Sequence, residues 1–339
     1  MTAGPSPSAA GAAASSPLLA VRDLRTGFRD DEGETVAVDG VSFTIGPGET
    51  LGLVGESGCG KSVTSLSILR LVPEPPGRIH PGSSVRLRGE ELLEATPTRM
   101  REVRGGEIAM VFQEPMTSLN PVFRVGDQIG EAVRRHTDLR RKAVRERVVA
   151  LLDRVGIADP AARADAYPHQ LSGGMRQRAM IAMALAGDPA LLIADEPTTA
   201  LDVTIQARIL DLLADLRRER RLALLLITHD LGVVAQVADR VAVMYAGRIV
   251  EEAAAVDLFA RPAHPYTRGL MRSIPDPDRP GTRLEPIPGA VPRPGAWPTG
   301  CRFHPRCPHA MPRCRADEPP LLDAPASRAA CWLVEEEGR

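Results

Sequence analysis

Three short segments hold residue types whose spacing suits phosphate chemistry. The first, Gly55-Glu56-Ser57-Gly58-Cys59-Gly60-Lys61-Ser62, has the pattern G-x-x-x-x-G-K-S. Its glycines let the backbone curl so that several N–H groups converge on phosphate oxygens. A helix that follows would turn its positive end, with Val63 in the first turn, to the same anion. Lys61 is then placed to reach the β- and γ-phosphates, and the Ser62 hydroxyl to bind Mg²⁺. Lysine occurs at only one other position, Lys142, and arginine serves nearly everywhere else.

The second segment is Asp195-Glu196-Pro197, at the end of the apolar run Leu191-Leu192-Ile193-Ala194. Ligands of open α/β sheets lie at the carboxyl ends of strands. Asp195 is thus expected to hold Mg²⁺, and Glu196 to polarise an attacking water. The third segment, Leu171-Ser172-Gly173-Gly174-Met175, also opens a helix and exposes N–H groups, so the chain offers two anion-binding helix starts.

These segments need a scaffold. From Leu18 to about Ala260 apolar strand-like runs alternate with amphipathic helices, the pattern of an α/β domain. Strands are expected at Thr50–Val54, Ile108–Phe112, Leu191–Ala194 and Leu222–Thr228, with a hairpin around Ala246-Gly247. Helices are expected at Lys61–Leu71, Gly173–Ala186 and Val203–Arg218, with two more inside Val125–Gly156 separated near Asp138. The tail Met1–Pro17, almost all Ala, Ser, Gly and Pro, reads as disordered. After Ala260 proline and arginine become dense, which places a boundary there and makes 261–339 a separate extension.

The chain has 339 residues, 43% hydrophobic and 25% charged, with a net charge of −1. Such a balance supplies no strong field to draw nucleic acid. No apolar run approaches the ~20 residues that span a bilayer, and the N-terminus lacks the basic region of a signal peptide. A cytosolic chain is therefore expected. In that compartment the cluster Cys301, Cys307, Cys314 and Cys331 suggests metal before disulfides. His304 and His309 lie among these cysteines, so a mixed zinc site is an alternative.

The order of motifs resembles the nucleotide-binding subunit of an ATP-binding cassette (ABC) transporter, over roughly Leu18 to Ala260. Phe112-Gln113-Glu114 is similar to that family's Q-loop, Leu171–Met175 to its signature, Thr199-Ala200-Leu201-Asp202 to its D-loop, and Thr228-His229-Asp230 to its switch. Met175 stands where many members carry Gln. The resemblance implies an ABC-type phosphate-loop ATPase fold with a helical signature subdomain at about 114–186. It implies a head-to-tail pair of cassettes, with Ser172, Gly173 and Gly174 of one completing the ATP site of the other. Gln113 would sense the metal and the membrane partner, His229 would contact the γ-phosphate, Asp202 would lie at the shared site, and Phe28 would stack on adenine. Lys61, Asp195, Glu196 and His229 are all present, which implies a hydrolytically competent site.

The run Arg261-Pro262-Ala263-His264-Pro265-Tyr266-Thr267 and the run Met116-Thr117-Ser118-Leu119-Asn120-Pro121 resemble the dipeptide and oligopeptide importers of that family. That resemblance implies a non-identical second cassette, two membrane-spanning permease subunits, an extracytoplasmic binding protein acting indirectly, and a place on the cytoplasmic face of the cell membrane. It also implies a four-iron cluster on the four cysteines, ahead of zinc. Import of nickel or another small solute, and a soluble ABC ATPase outside transport, remain alternatives.

Overall fold

The structure, a computed structural model, describes residues 16–31, 33–113, 118–198, 202–273 and 285–337. The expectations for Glu114, Met116, Thr117, Thr199, Ala200 and Leu201, and for most of the N-terminal tail, lie outside those residues.

Two sheets carry the fold. β1 (Leu19–Asp30) and β2 (Gly33–Ile45) pair antiparallel over nearly their whole length. β3 (Thr50–Val54) leads directly into the phosphate loop. The short strands β4 (Gly77–Ile79) and β5 (Ser84–Leu87) both pair with β1, and β6 (Glu90–Glu91) pairs with β5. The second sheet takes β7 (Ile108–Val111), β8 (Leu191–Asp195), β9 (Ala223–Thr228) and β10 (Arg240–Tyr245), in the parallel spatial order β7-β8-β9-β3-β10. β11 (Arg248–Ala254) returns antiparallel against β10, the expected hairpin. β12 (Leu322–Asp323) and β13 (Arg328–Ala329) then extend the same sheet beyond β11.

The parallel strands read as unbroken apolar runs because both faces are covered. In β8, Leu191 and Ile193 pack towards the antiparallel sheet with Leu51, Leu53, Leu225 and Ile227. Leu192 and Ala194 pack on the other face, with the helices. The helices on that face are α3 (Val125–His136), α4 (Arg141–Arg154), α5 (Pro160–Ala164) and α6 (Gly173–Ala184), between β7 and β8, and then α7 (Val203–Arg220), whereas α1 (Lys61–Ile68) and α2 (Pro97–Gly106) pack with Leu191 and Ile193 through Ile68, Met100 and Val103. Helix α7 buries Ile209, Leu213 and Leu216, three residues of the face that its periodicity marks. The break expected near Asp138 falls between α3 and α4.

The change of composition at Ala260 is not a break in packing. After α8 (Leu231–Val237) and α9 (Ala255–Ala260), α10 (Pro265–Arg272) places Tyr266 in one cluster with Val54, Val243, Tyr245 and Phe303. The longest helix described after Ala260 is α10, with 8 residues. Its start explains the His-Pro-Tyr run physically. His264 caps it by accepting the Tyr266 N–H at Nδ1, and the fully buried Glu251 accepts the N–H groups of Ala263 and His264.

Candidate functional site

Four neighbouring strands deliver the site at their carboxyl ends. β3 ends in the phosphate loop, β7 in Gln113, β8 in Asp195 and Glu196, and β9 in His229. Close approach of other backbone forces two of the loop's three glycines. A Cβ on Gly55 would sit 2.2 Å from the Met244 carbonyl oxygen, and one on Gly60 2.7 Å from that of Ala37. Gly60 also has φ 109°, a conformation open to glycine, and it caps α1. Lys61 is 5% exposed and donates from Nζ to the carbonyls of Gly55 at 2.8 Å and Glu56 at 3.1 Å. Cys59 is buried in the same loop, and burial pushes its thiol pKa up.

The residues expected to act in hydrolysis meet on Glu196. Gln113 Nε2 donates to Glu196 Oε2 at 2.9 Å, and His229 Nδ1 lies 3.3 Å from Oε1. Two residues from two other motifs therefore converge on the Glu196 carboxylate. The Glu196 N–H donates to the Ile227 carbonyl at 2.8 Å, and its φ of 46° puts a side-chain-bearing residue in the left-handed region. Such strain persists where the surroundings over-determine it, a common feature of active sites.

Asp195 is 4% exposed. Burial raises its pKa, opposed by a hydrogen bond from Ser62, while the charge of Glu196 raises it further and that of Lys61 lowers it. Its Oδ1 has no hydrogen-bond partner although it is buried. An orphaned carboxylate oxygen beside a serine hydroxyl fits Mg²⁺, which is usually held by one or two protein oxygens with the rest supplied by water and phosphate. Asp195 and Ser62 would hold the ion, with Gln113 one strand end away; it would neutralise charge on the phosphates.

The second helix start is built differently. Ser172 caps α6 by accepting the Met175 N–H at 3.3 Å, and Ser172 and Gly173 are exposed. Gly174 is buried, and a Cβ there would meet Ile205 side-chain carbons at 2.8 and 2.9 Å. Asp202 acts within its own segment, where its Oδ1 accepts the Ile205 N–H at 2.8 Å and caps α7. Phe28 lies half-buried on β1 opposite Thr35 and Gly77.

Comparison with known proteins agrees with this geometry. Residues 38–199 match the family described as ABC transporter, and residues 250–314 match the C-terminal region of oligopeptide/dipeptide transporters. A probable peptide ABC transporter ATP-binding protein, y4tR of Sinorhizobium fredii, is 56% identical over 94% of this chain and 96% of its own length. The chain belongs to the ABC transporter family. The oligopeptide transport ATP-binding protein AppD of Bacillus subtilis is 52% identical over 95% of this chain and 98% of its own length. Among solved structures, the dimeric ATP-binding cassette MJ0796 bound to ADP and Pi superposes with a TM-score of 0.63 at 25% identity, over 70% of this chain and 98% of that one.

As an ABC ATPase the chain uses ATP with Mg²⁺. No described helix is long and apolar enough to cross a membrane.

The four C-terminal cysteines gather as their clustering suggests, since all line one void, but that void measures about 10 Å³. Among the described residues no three His, Cys, Asp or Glu side chains come close enough to hold a metal ion. The described residues thus hold no preformed ligand set for the expected four-iron or zinc centre: as packed, the thiols fill a core. Burial pushes Cys301 up to about 11 and Cys331 up to about 12, so both are neutral thiols.

Sequence reasoning missed what the extension does at the ATPase site. Arg306 pairs with Glu56 through Nη1–Oε2 at 2.7 Å and Nη2–Oε1 at 3.0 Å, and the Glu56 N–H donates to Tyr266 Oη at 2.9 Å. Burial alone would lower the Arg306 pKa; hydrogen bonds to Glu56 and Tyr245 more than offset it and raise it. Nothing local marks Arg306 as the partner of a residue 250 positions away. Tyr266 lies in the His-Pro-Tyr run that starts α10, and nothing in that run points to the phosphate loop.

Proposed function

We propose that this chain is the ATP-hydrolysing subunit of a membrane importer for dipeptides or oligopeptides. The observation that carries the hydrolytic part is the convergence of Gln113 and His229 on Glu196, beside the buried Asp195–Ser62 pair. In this reading the backbone of Gly55 to Ser62 and Val63 holds the triphosphate, Lys61 meets its β- and γ-phosphates, and Phe28 stacks on adenine. Glu196 polarises the attacking water while Gln113 and His229 hold its carboxylate in place. Ser172, Gly173 and Gly174, with Asp202 near the shared site, act on ATP held by a second cassette. Support for that trans arrangement is the exposure of Ser172 and Gly173 and the dimeric form of the solved relative.

Peptide import is supported by the names of the full-length relatives and the C-terminal family match. The partners would be two permease subunits and a non-identical second cassette, with an extracytoplasmic binding protein acting indirectly and this chain peripheral on the cytoplasmic face. The domain limits 18–260 and 261–339 belong to this reading. Uptake of labelled di- and oligopeptides by cells whose chromosomal copy carries Lys61→Ala tests it. Loss of peptide uptake is expected; unchanged peptide uptake, with loss for nickel or another solute instead, overturns the substrate assignment.

Convergence of four thiols on one void also supports a metal-bound form of the extension, for which the void would have to widen. Iron, sulfide and zinc analysis of anaerobically purified protein decides it, and folded protein free of all three refutes it.

A further inference from the structure

We propose that Arg306 and Tyr266, both in the C-terminal extension, are positioning residues for the phosphate loop, so that a segment outside the cassette helps set the affinity for ATP. The inference rests on the reading that Gly55 to Ser62 bind the triphosphate.

Every polar part of Glu56 is held. Its carbonyl accepts from Lys61 Nζ at 3.1 Å, its N–H donates to Tyr266 Oη at 2.9 Å, and its carboxylate takes both Arg306 contacts. Two of those three anchors come from the extension. Arg306 is itself fixed. Its side chain is 5% exposed, its Nε donates to the Pro288 carbonyl at 2.8 Å, and its Nη2 donates to the Ile287 carbonyl at 3.3 Å. Tyr266 is equally constrained, with its ring 4.6 Å from Tyr245 and 5.4 Å from Phe303.

The anchors have electrostatic and geometric consequences. Glu56 places a negative charge in a loop that receives a polyanion, and the Arg306 fork neutralises it in a geometry that lysine does not reproduce. Truncating Arg306 would leave a partly buried carboxylate unpaired beside incoming phosphates. The Tyr266 hydroxyl draws the Glu56 N–H to itself, leaving phosphate to the later donors of the loop.

The test is steady-state ATPase kinetics of the assembled transporter. Arg306→Gln is expected to raise the KM for ATP about tenfold and to change kcat less than about twofold, the size of a coupled pair. Adding Glu56→Gln removes the repelling charge, so the double variant should return to within about threefold of the parent KM. A merely structural Arg306 would not produce that recovery. Tyr266→Phe, which deletes one hydroxyl and keeps the ring, should raise KM about threefold. It keeps the proposal testable if Arg306→Gln does not fold. An unchanged KM in folded Arg306→Gln or Tyr266→Phe protein, or a double variant worse than the single, overturns the proposal. Lys61→Ala serves as the control: retained ATP binding there would refute the loop reading itself, independently of Arg306.

Discussion

The phosphate loop and the signature loop are both glycine-led helix starts, and the molecule treats them in opposite ways. At the first, Gly55 and Gly60 are pressed against the carbonyls of Met244 and Ala37, Lys61 is buried, and Glu56 is held by Arg306. At the second, Gly174 is pressed by Ile205, while Ser172 and Gly173 are exposed. A loop that binds ligand within its own chain can be preorganised by its neighbours. A loop meant for a ligand carried by another molecule must leave its donors at the surface.

Substitutions on either side should separate the two. Lys61→Ala is expected to lower ATP hydrolysis at least about 100-fold and to weaken nucleotide binding by the isolated chain, measured by fluorescent-nucleotide titration. Gly173→Asp puts a negative charge at the exposed helix start. It is expected to leave ATP binding by the isolated chain intact while hydrolysis by the assembled transporter falls about tenfold or more. If it weakens binding by the isolated chain as much as Lys61→Ala does, the contrast between the loops fails.

A smaller effect concerns the extension that braces the phosphate loop. Burial drives the His264 pKa down to about 3, with a backbone hydrogen bond to Ala330 opposing the shift and the charge of Arg268 adding to it. Glu251 accepts its backbone N–H, and the neutral ring accepts the Tyr266 N–H. Between the ordinary value near 6.5 and the folded value, the unfolded chain binds more protons. This contribution is therefore complete above about pH 6.5 and is lost as pH falls towards 3. Thermal melts from pH 7 to 4 should show the loss, and His264→Asn should flatten it. The smallest effect is expected for Asp202→Ala, which removes the α7 cap and costs about 1 kcal/mol, read as a shift of denaturation midpoint.

How legible the molecule was depends on the range of the interaction. β3, β8 and β9 appear as apolar runs, and α3 and α4 as periodic segments with a break near Asp138, because strand and helix patterns are local. The convergence of Gln113, Glu196 and His229 was legible through motifs, since each follows the end of a buried strand. Pairing of β13 with β11 left no such trace: each partner stretch in the extension is 2 residues long, too short for a pattern. The composition change at Ala260 suggested an appendage, yet Tyr266 and Phe303 share a core with Val54 and Tyr245. Composition reports the polarity of a segment, and packing depends on a few large residues within it. The cysteine spacing correctly signalled clustering, but spacing says nothing of the distance between thiols.

We propose that the strand ends assemble a hydrolytic centre on Glu196. The most direct test is Glu196→Gln in the assembled transporter, comparing ATP turnover with the amount of ATP retained after gel filtration. The neutral amide keeps the shape and loses the base, so turnover should fall about 100-fold or more while ATP stays bound. Turnover equal to that of the parent protein would contradict the claim.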